Sequence, residues 1–106
     1  MVDLNYAAEK FWTGIHCLVR STPIRERINN AYLSFHTIRV GEFGDPELAA
    51  AYEQLMTKFV DKNFGSVPAT LDQMSDDEVK KVADEIVSIC HMIEVERRIQ
   101  SVSDRR

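Results

Sequence analysis

Cysteine is scarce in this chain. Cys17 and Cys90 are the only two in 106 residues, and they share no short spacing. That excludes a disulfide framework and any Cys-x-x-Cys redox or zinc element. Four glycines and three prolines are too few for a low-complexity or collagen-like segment. No run approaches the roughly 18 consecutive apolar residues of a membrane span. The opening stretch from Met1 to Tyr6 carries neither a basic region nor an apolar core, so no secretory signal is read there. A reducing, cytoplasmic setting is the expectation. Basic residues are also in deficit, with 13 Lys and Arg against 17 Asp and Glu and a net charge of −4. Phosphate recognition normally needs a basic domain or stripe, so no nucleic-acid binding is expected. Arg20, Arg25 and Arg27 do gather at one junction, and Arg97, Arg98, Arg105 and Arg106 near the end. Arg20 and the last four fall near helix C-termini, where cations complement exposed carbonyls.

What is present is helical periodicity. From about Asp3 to Arg20, Leu4, Ala8, Phe11, Trp12, Ile15, Leu18 and Val19 recur at the spacing of one helix face. Ser21–Thr22–Pro23 breaks the pattern, with Thr22 as N-cap and Pro23 at the first helical position. A second helix over 23–40 offers Ile24, Ile28, Ala31, Tyr32, Phe35 and Ile38, and Gly41 and Gly44 end it. Asp45–Pro46–Glu47 opens a third, whose inward residues are Leu48, Tyr52, Leu55, Met56 and Phe59. Gly65 and Pro68 interrupt the stretch 64–74, although Phe64, Val67, Leu71 and Met74 can fold back on the core. Thr70 to Gln73 has capping-box form and opens one short turn. Ser75 to Glu78 is a stronger box and starts the last helix, read from about Asp76 to Ser101.

Four amphipathic helices and no strand-like alternation predict an all-α domain. The expected architecture is an antiparallel four-helix bundle, up-and-down, with a long connection before the last helix. Residues 1–100 form the single domain in this reading, and 101–106 a flexible C-terminal tail. An irregular orthogonal bundle, or a bundle completed on dimerisation, are the competing architectures.

The last helix carries two apolar stripes. Val79, Val82, Ala83, Ile86, Ile89, Cys90 and Ile93 share one face, and its continuation lands on Arg97. At about 100° per residue, Met92, Val95, Ile99 and Val102 form a second row on roughly the opposite side. Their three-four-three spacing is that of a helix–helix seam. An apolar row on a solvated face calls for a partner, either a second copy of the chain or another protein. The competing reading is a frayed helix end, or a row covered by Phe43 or the 64–74 segment.

No constellation for catalysis assembles in the sequence. His16, His36 and His91 fall at the edges of their apolar stripes. A metal site joining His36 and His91 with Glu94 or Glu53 lacks the paired Glu-x-x-His motifs of di-metal bundles, so no metal or other cofactor is expected. Neither Cys17 beside His16 nor Cys90 beside His91 makes a thiolate–imidazole couple, because helical neighbours point about 100° apart. Phosphate-cradling glycine loops and nucleophile elbows are absent, and no small-molecule substrate is identifiable.

The segment from His36 through Arg39 to Gly41 resembles the phosphoacceptor segment of histidine phosphotransfer domains. That resemblance implies His36 as the phosphoryl carrier and Arg39 as its neutralising cation. Arginine stands where those domains have lysine, and the glycine comes one place late. The runs Ser21–Tyr32 and Leu71–Glu78 also resemble small uncharacterised bacterial helical proteins, over about Glu9 to Ile93. This second resemblance implies a bacterial or phage origin and no activity. The leading expectation is a non-enzymatic interaction module, a homodimer or a small docking subunit working through Met92, Val95, Ile99 and Val102. Phosphotransfer through His36, or regulation of nucleic-acid machinery through its protein component, are the alternatives.

Overall fold

Side-chain caps decide where three of the helices begin. A computed structural model describes residues 4–60 and 64–104, with the side chains of 101–104 excepted. Its helices are α1 (Leu4–Leu18), α2 (Ile24–Phe35), α3 (Pro46–Phe59), α4 (Val67–Asp72) and α5 (Asp76–Asp104). A single 3-10 turn, Val40–Glu42, lies between α2 and α3. The chain is all-helical, and the described residues include no strand. Asp45 accepts from the Leu48 amide at 2.9 Å, with Pro46 at the first helical position. Ser75 accepts from the Glu78 amide at 3.2 Å, as its capping box requires.

Local signals were misleading at three places. Thr22 does not cap α2; its hydroxyl is buried and without a partner among the described residues, and the helix starts one residue after Pro23. The same helix ends at Phe35, not at 40. Arg39 is extended there, and its amide donates to the Glu42 carboxylate at 2.6 Å, which starts the 3-10 turn instead. The short helix before α5 is capped by Ser66, which accepts from the Ala69 amide at 3.2 Å. Thr70 therefore lies inside α4, and its hydroxyl donates back to the Ser66 carbonyl at 2.8 Å. At the other end of the chain α5 continues to Asp104, into the segment expected to be a tail; residues 105 and 106 lie outside those described.

The core is built on stacked and edge-on aromatic rings. Phe11 and Phe35 stack at 4.4 Å with nearly parallel planes, and Tyr52 meets Phe11 edge-on at 5.9 Å. Phe43 packs on Tyr52 and Phe59 on Tyr32, so the loop after α2 and the end of α3 close over the same cluster. Ile28, Leu48, Leu55, Ile86 and Ile93 complete it, all fully buried. Helix α1 packs on α2 and α5, α3 on α5, and α4 on α2.

The inward face of α1 is not the one its bulkiest residues indicate. Leu4, Ala7, Ala8, Phe11 and Gly14 are buried, whereas Trp12 is 59% and Val19 75% exposed. The cause is close approach. A β-carbon on Gly14 would lie 3.4 Å from the Phe35 ring and 3.5 Å from the Ala31 carbonyl. Burying the small residues lets α2 come near, and this turns Trp12 and Val19 outward.

Candidate functional site: the outward face of α5

Two faces of α5 separate cleanly. Val79, Val82, Ile86, Ile89, Cys90 and Ile93 are buried. The next position in that row is Arg97, whose guanidinium donates to the Asn5 side chain at 3.3 Å and to Glu94 at 3.0 Å. Asn5 is the second described residue of α1, so this contact lies at the described start of the neighbouring helix, one turn past Ile93, the last fully buried residue of the row. The seven residues from Arg98 to Asp104 add about 10 Å of helix past that point. The longest dimension of the molecule, 49 Å, is close to the ~43 Å expected of a 29-residue helix alone.

On the other face, Val95 is 40% and Ile99 53% exposed. Met92, at the start of the row, is half-buried and packed against the core. The side chain of Val102 lies outside the described residues. Neither Phe43, which is turned inward against Tyr52, nor the 64–74 segment, whose Leu71 joins the core, seals Val95 and Ile99. Exposed His91 and Arg98 flank the row on one side, and half-buried Glu96 flanks it on the other. Among the described residues, none of these three has an ion-pair partner.

His36 is exposed and immediately follows α2. Its Nδ1 lies 3.0 Å from the Leu33 carbonyl, and its ring stacks on Tyr32 at 5.3 Å. A carbonyl only accepts, so Nδ1 donates, and in the neutral ring Nε2 carries the free lone pair. Because α2 stops at Phe35 and Arg39 is extended, His36 and Arg39 do not share a helical face.

The remaining chemistry-bearing residues are dispersed or engaged. His16 is exposed, and its ring meets the exposed Trp12 ring edge-on at 5.1 Å. Burial, and then the nearby Glu94 carboxylate, push the Cys90 thiol above its ordinary range, as for an inert core cysteine. Cys17 is half-buried, with its sulfur 4.0 Å from the Ser34 hydroxyl. Among the described residues, no three His, Cys, Asp or Glu side chains gather in a metal-binding group.

Sequence reasoning missed the work of the first arginine cluster. Arg25 donates to the Leu71 carbonyl at 3.0 Å and the Met74 carbonyl at 2.7 Å, and pairs with Asp76 at 3.2 Å. It thereby adds a donor to the Leu71 carbonyl, which also accepts from the Met74 amide at 3.2 Å, and serves the Met74 carbonyl just past the end of α4. Arg27 does the same for α1 through the Leu18 carbonyl at 2.8 Å. Nothing in a one-dimensional pattern pairs an arginine with carbonyls 46 and 49 residues away. A surface cleft of about 210 Å³ lies beside Arg25, lined also by Asn29, Pro68 and Leu71. It is below the usual size of a small-molecule site.

No protein-family model, curated protein or solved structure matches this chain.

Proposed function

We propose that this chain is a non-enzymatic docking module that engages another polypeptide through the outward face of α5. The observation that carries the reading is the exposure of Val95 and Ile99, in register, on a helix that continues to Asp104 past the contact of Arg97 with Asn5. Apolar residues aligned on a solvated helix face are the usual substrate for helix–helix docking. In this reading the four long helices form an antiparallel bundle. Tyr6–Thr37 and Leu18–Arg27 run α1 against α2, and Arg25–Asp76 sets the starts of α2 and α5 side by side. Short α4 is the lid at that end. The bundle serves as a mount, and α5 as the projecting contact arm.

Photo-crosslinking in cells tests this. A benzophenone side chain at position 95 or 99 captures a protein partner, and the same group at Glu53 or Lys80 does not. Absence of an adduct at both α5 positions sinks the proposal.

A second reading is favoured by one observation, the Nδ1 contact that leaves Nε2 of His36 as a solvent-facing nucleophile. In that reading His36 accepts a phosphoryl group from a phosphorylated signalling partner. Incubation with a phosphodonor kinase or phosphorylated receiver labels the protein, and His36→Gln abolishes the label. Label that survives the substitution rules His36 out.

A further inference from the structure

We infer that the occupant of the α5 face is a second copy of this chain, docked with the two α5 helices parallel. This rests on the docking reading above and adds the partner and its orientation. The spacing assigns Met92 and Ile99 to the first core position of a heptad and Val95 to the fourth. His91 and Arg98 then border the seam on one side, and Glu96 on the other. A two-fold axis along parallel helices lays each flank against the opposite flank of the partner. Glu96 of one helix therefore faces the partner's His91, whose imidazole N–H can donate to the carboxylate, with the cationic Arg98 next along the same edge. Antiparallel pairing lays like against like, placing Glu96 along the partner's Glu96 and Arg98 along the partner's Arg98. That is the repulsive arrangement.

The fold leaves room for the parallel pair. At about 100° per residue, the buried row of α5 and the Val95–Ile99 row point roughly 150° apart. The two bundle bodies then sit on opposite outer sides of the helix pair and do not compete for the seam. The row that docks is short, and Met92 is already half covered by its own chain. Such a seam buries less than the roughly 1,200 Å² of a stable interface, so the dimer is a weak one that dissociates on dilution. Glu96, His91 and Arg98 have no ion-pair partner within the described chain, which leaves them available across the seam.

Sedimentation equilibrium of the full chain, with cysteine cross-linking, tests this directly. Cys17→Ser removes the half-buried thiol, and that chain, retaining buried Cys90, is the control. In a glutathione redox buffer, Val95→Cys and Ile99→Cys each form a disulfide with themselves when the helices are parallel and in register. In an antiparallel pair at most one of the two positions can meet its own copy. The expected results are a concentration-dependent dimer and self-cross-linking at both sites. Glu96→Arg weakens association by roughly fivefold, and adding His91→Glu restores it. A monomer at every concentration, or self-cross-linking at one site or neither, overturns the inference. The two proposals fail separately. If cells yield adducts at 95 and 99 to a different protein while the purified chain stays monomeric, docking stands and the second copy falls.

Discussion

The Tyr52 hydroxyl sits 2.6 Å from the Ile38 carbonyl and 3.1 Å from that of Phe35, fully buried, and so ties α3 to the residues where α2 ends. Its one proton is shared between the Ile38 carbonyl, beyond the end of α2, and the Phe35 carbonyl, which also accepts from the Ile38 amide at 3.0 Å. This contact explains why Ile38 stays in the core although the helix has ended before it. Tyr52→Phe keeps the ring packing and leaves both carbonyls without that donor. It costs about 1–3 kcal/mol of stability, measured by urea unfolding.

The same burial makes the Tyr52 phenol hard to ionise. Desolvation, followed by the neighbouring Tyr32, Glu42 and Tyr6, raises it well above the ordinary value of 10.0. With the folded value raised, the folded state holds the proton longer than the unfolded state does. Stability is therefore undiminished below about pH 10 and falls as pH rises beyond it. Alkaline unfolding curves follow this slope, and Tyr52→Phe flattens it. Absorbance titration of the wild type shows Tyr52 ionising only with unfolding, a late step that Tyr52→Phe removes.

Gly14 is a site for stabilisation. An added β-carbon meets the Phe35 ring at 3.4 Å and the Ala31 atoms at 3.5 and 3.6 Å, which is ordinary contact distance. Gly14→Ala therefore gains helix propensity without a clash and stabilises by about 0.5–1 kcal/mol. Gly14→Leu forces α1 away from α2 and destabilises by about 1–3 kcal/mol. Thermal melts of the pair, moving in opposite directions, check the close approach.

Arg25 clamps three elements with one side chain. Arg25→Ala leaves the Met74 carbonyl without its guanidinium donor and the Leu71 carbonyl with the Met74 amide in place of two donors, and costs about 1–2 kcal/mol, partial exposure tempering the full charged hydrogen bond. Arg25→Lys does not restore it, since an ammonium cannot span both carbonyls as the planar guanidinium does. Hydrogen exchange across 67–76 speeds up in both variants before the rest of the chain responds.

Two neighbouring aromatic residues on α1 behave oppositely. Phe11→Ala opens the centre of the core and costs about 3–5 kcal/mol. Trp12→Ala, at a side chain mostly in water, changes stability by under about 1 kcal/mol. Iodide quenches the single tryptophan readily in the folded wild type, a direct check on its exposure.

Much of the fold was legible where a local signal and the tertiary need coincide. Asp45 with Pro46, and Ser75 with Glu78, cap helices through bonds spanning three residues, so the chain's own order contains them. The buried row of α5 was readable for the same reason, since Val79 to Ile93 repeat at the period of the helix face that packs on α1 and α3. The stop at Arg97 was readable too, because a guanidinium does not continue an apolar row. On the candidate site, the row of Val95 and Ile99 was visible as spacing, and coordinates were needed to establish that neither is covered within the described chain.

Periodicity and capping, then, determined by themselves an all-helical chain, three helix starts near their observed places, and the inward residues of α3 and α5. Each of those follows from bonds or spacings within about one turn of helix. Tertiary structure alone decided that Gly14 and not Trp12 faces α2, that α2 ends at Phe35, and that Arg25 and Arg27 serve distant carbonyls. Those outcomes depend on what another helix brings to the same place: a ring against a missing β-carbon, a tyrosine hydroxyl under a carbonyl, an open helix end beside a guanidinium. A row of apolar residues records how often a face recurs, and not how closely a neighbour can approach it.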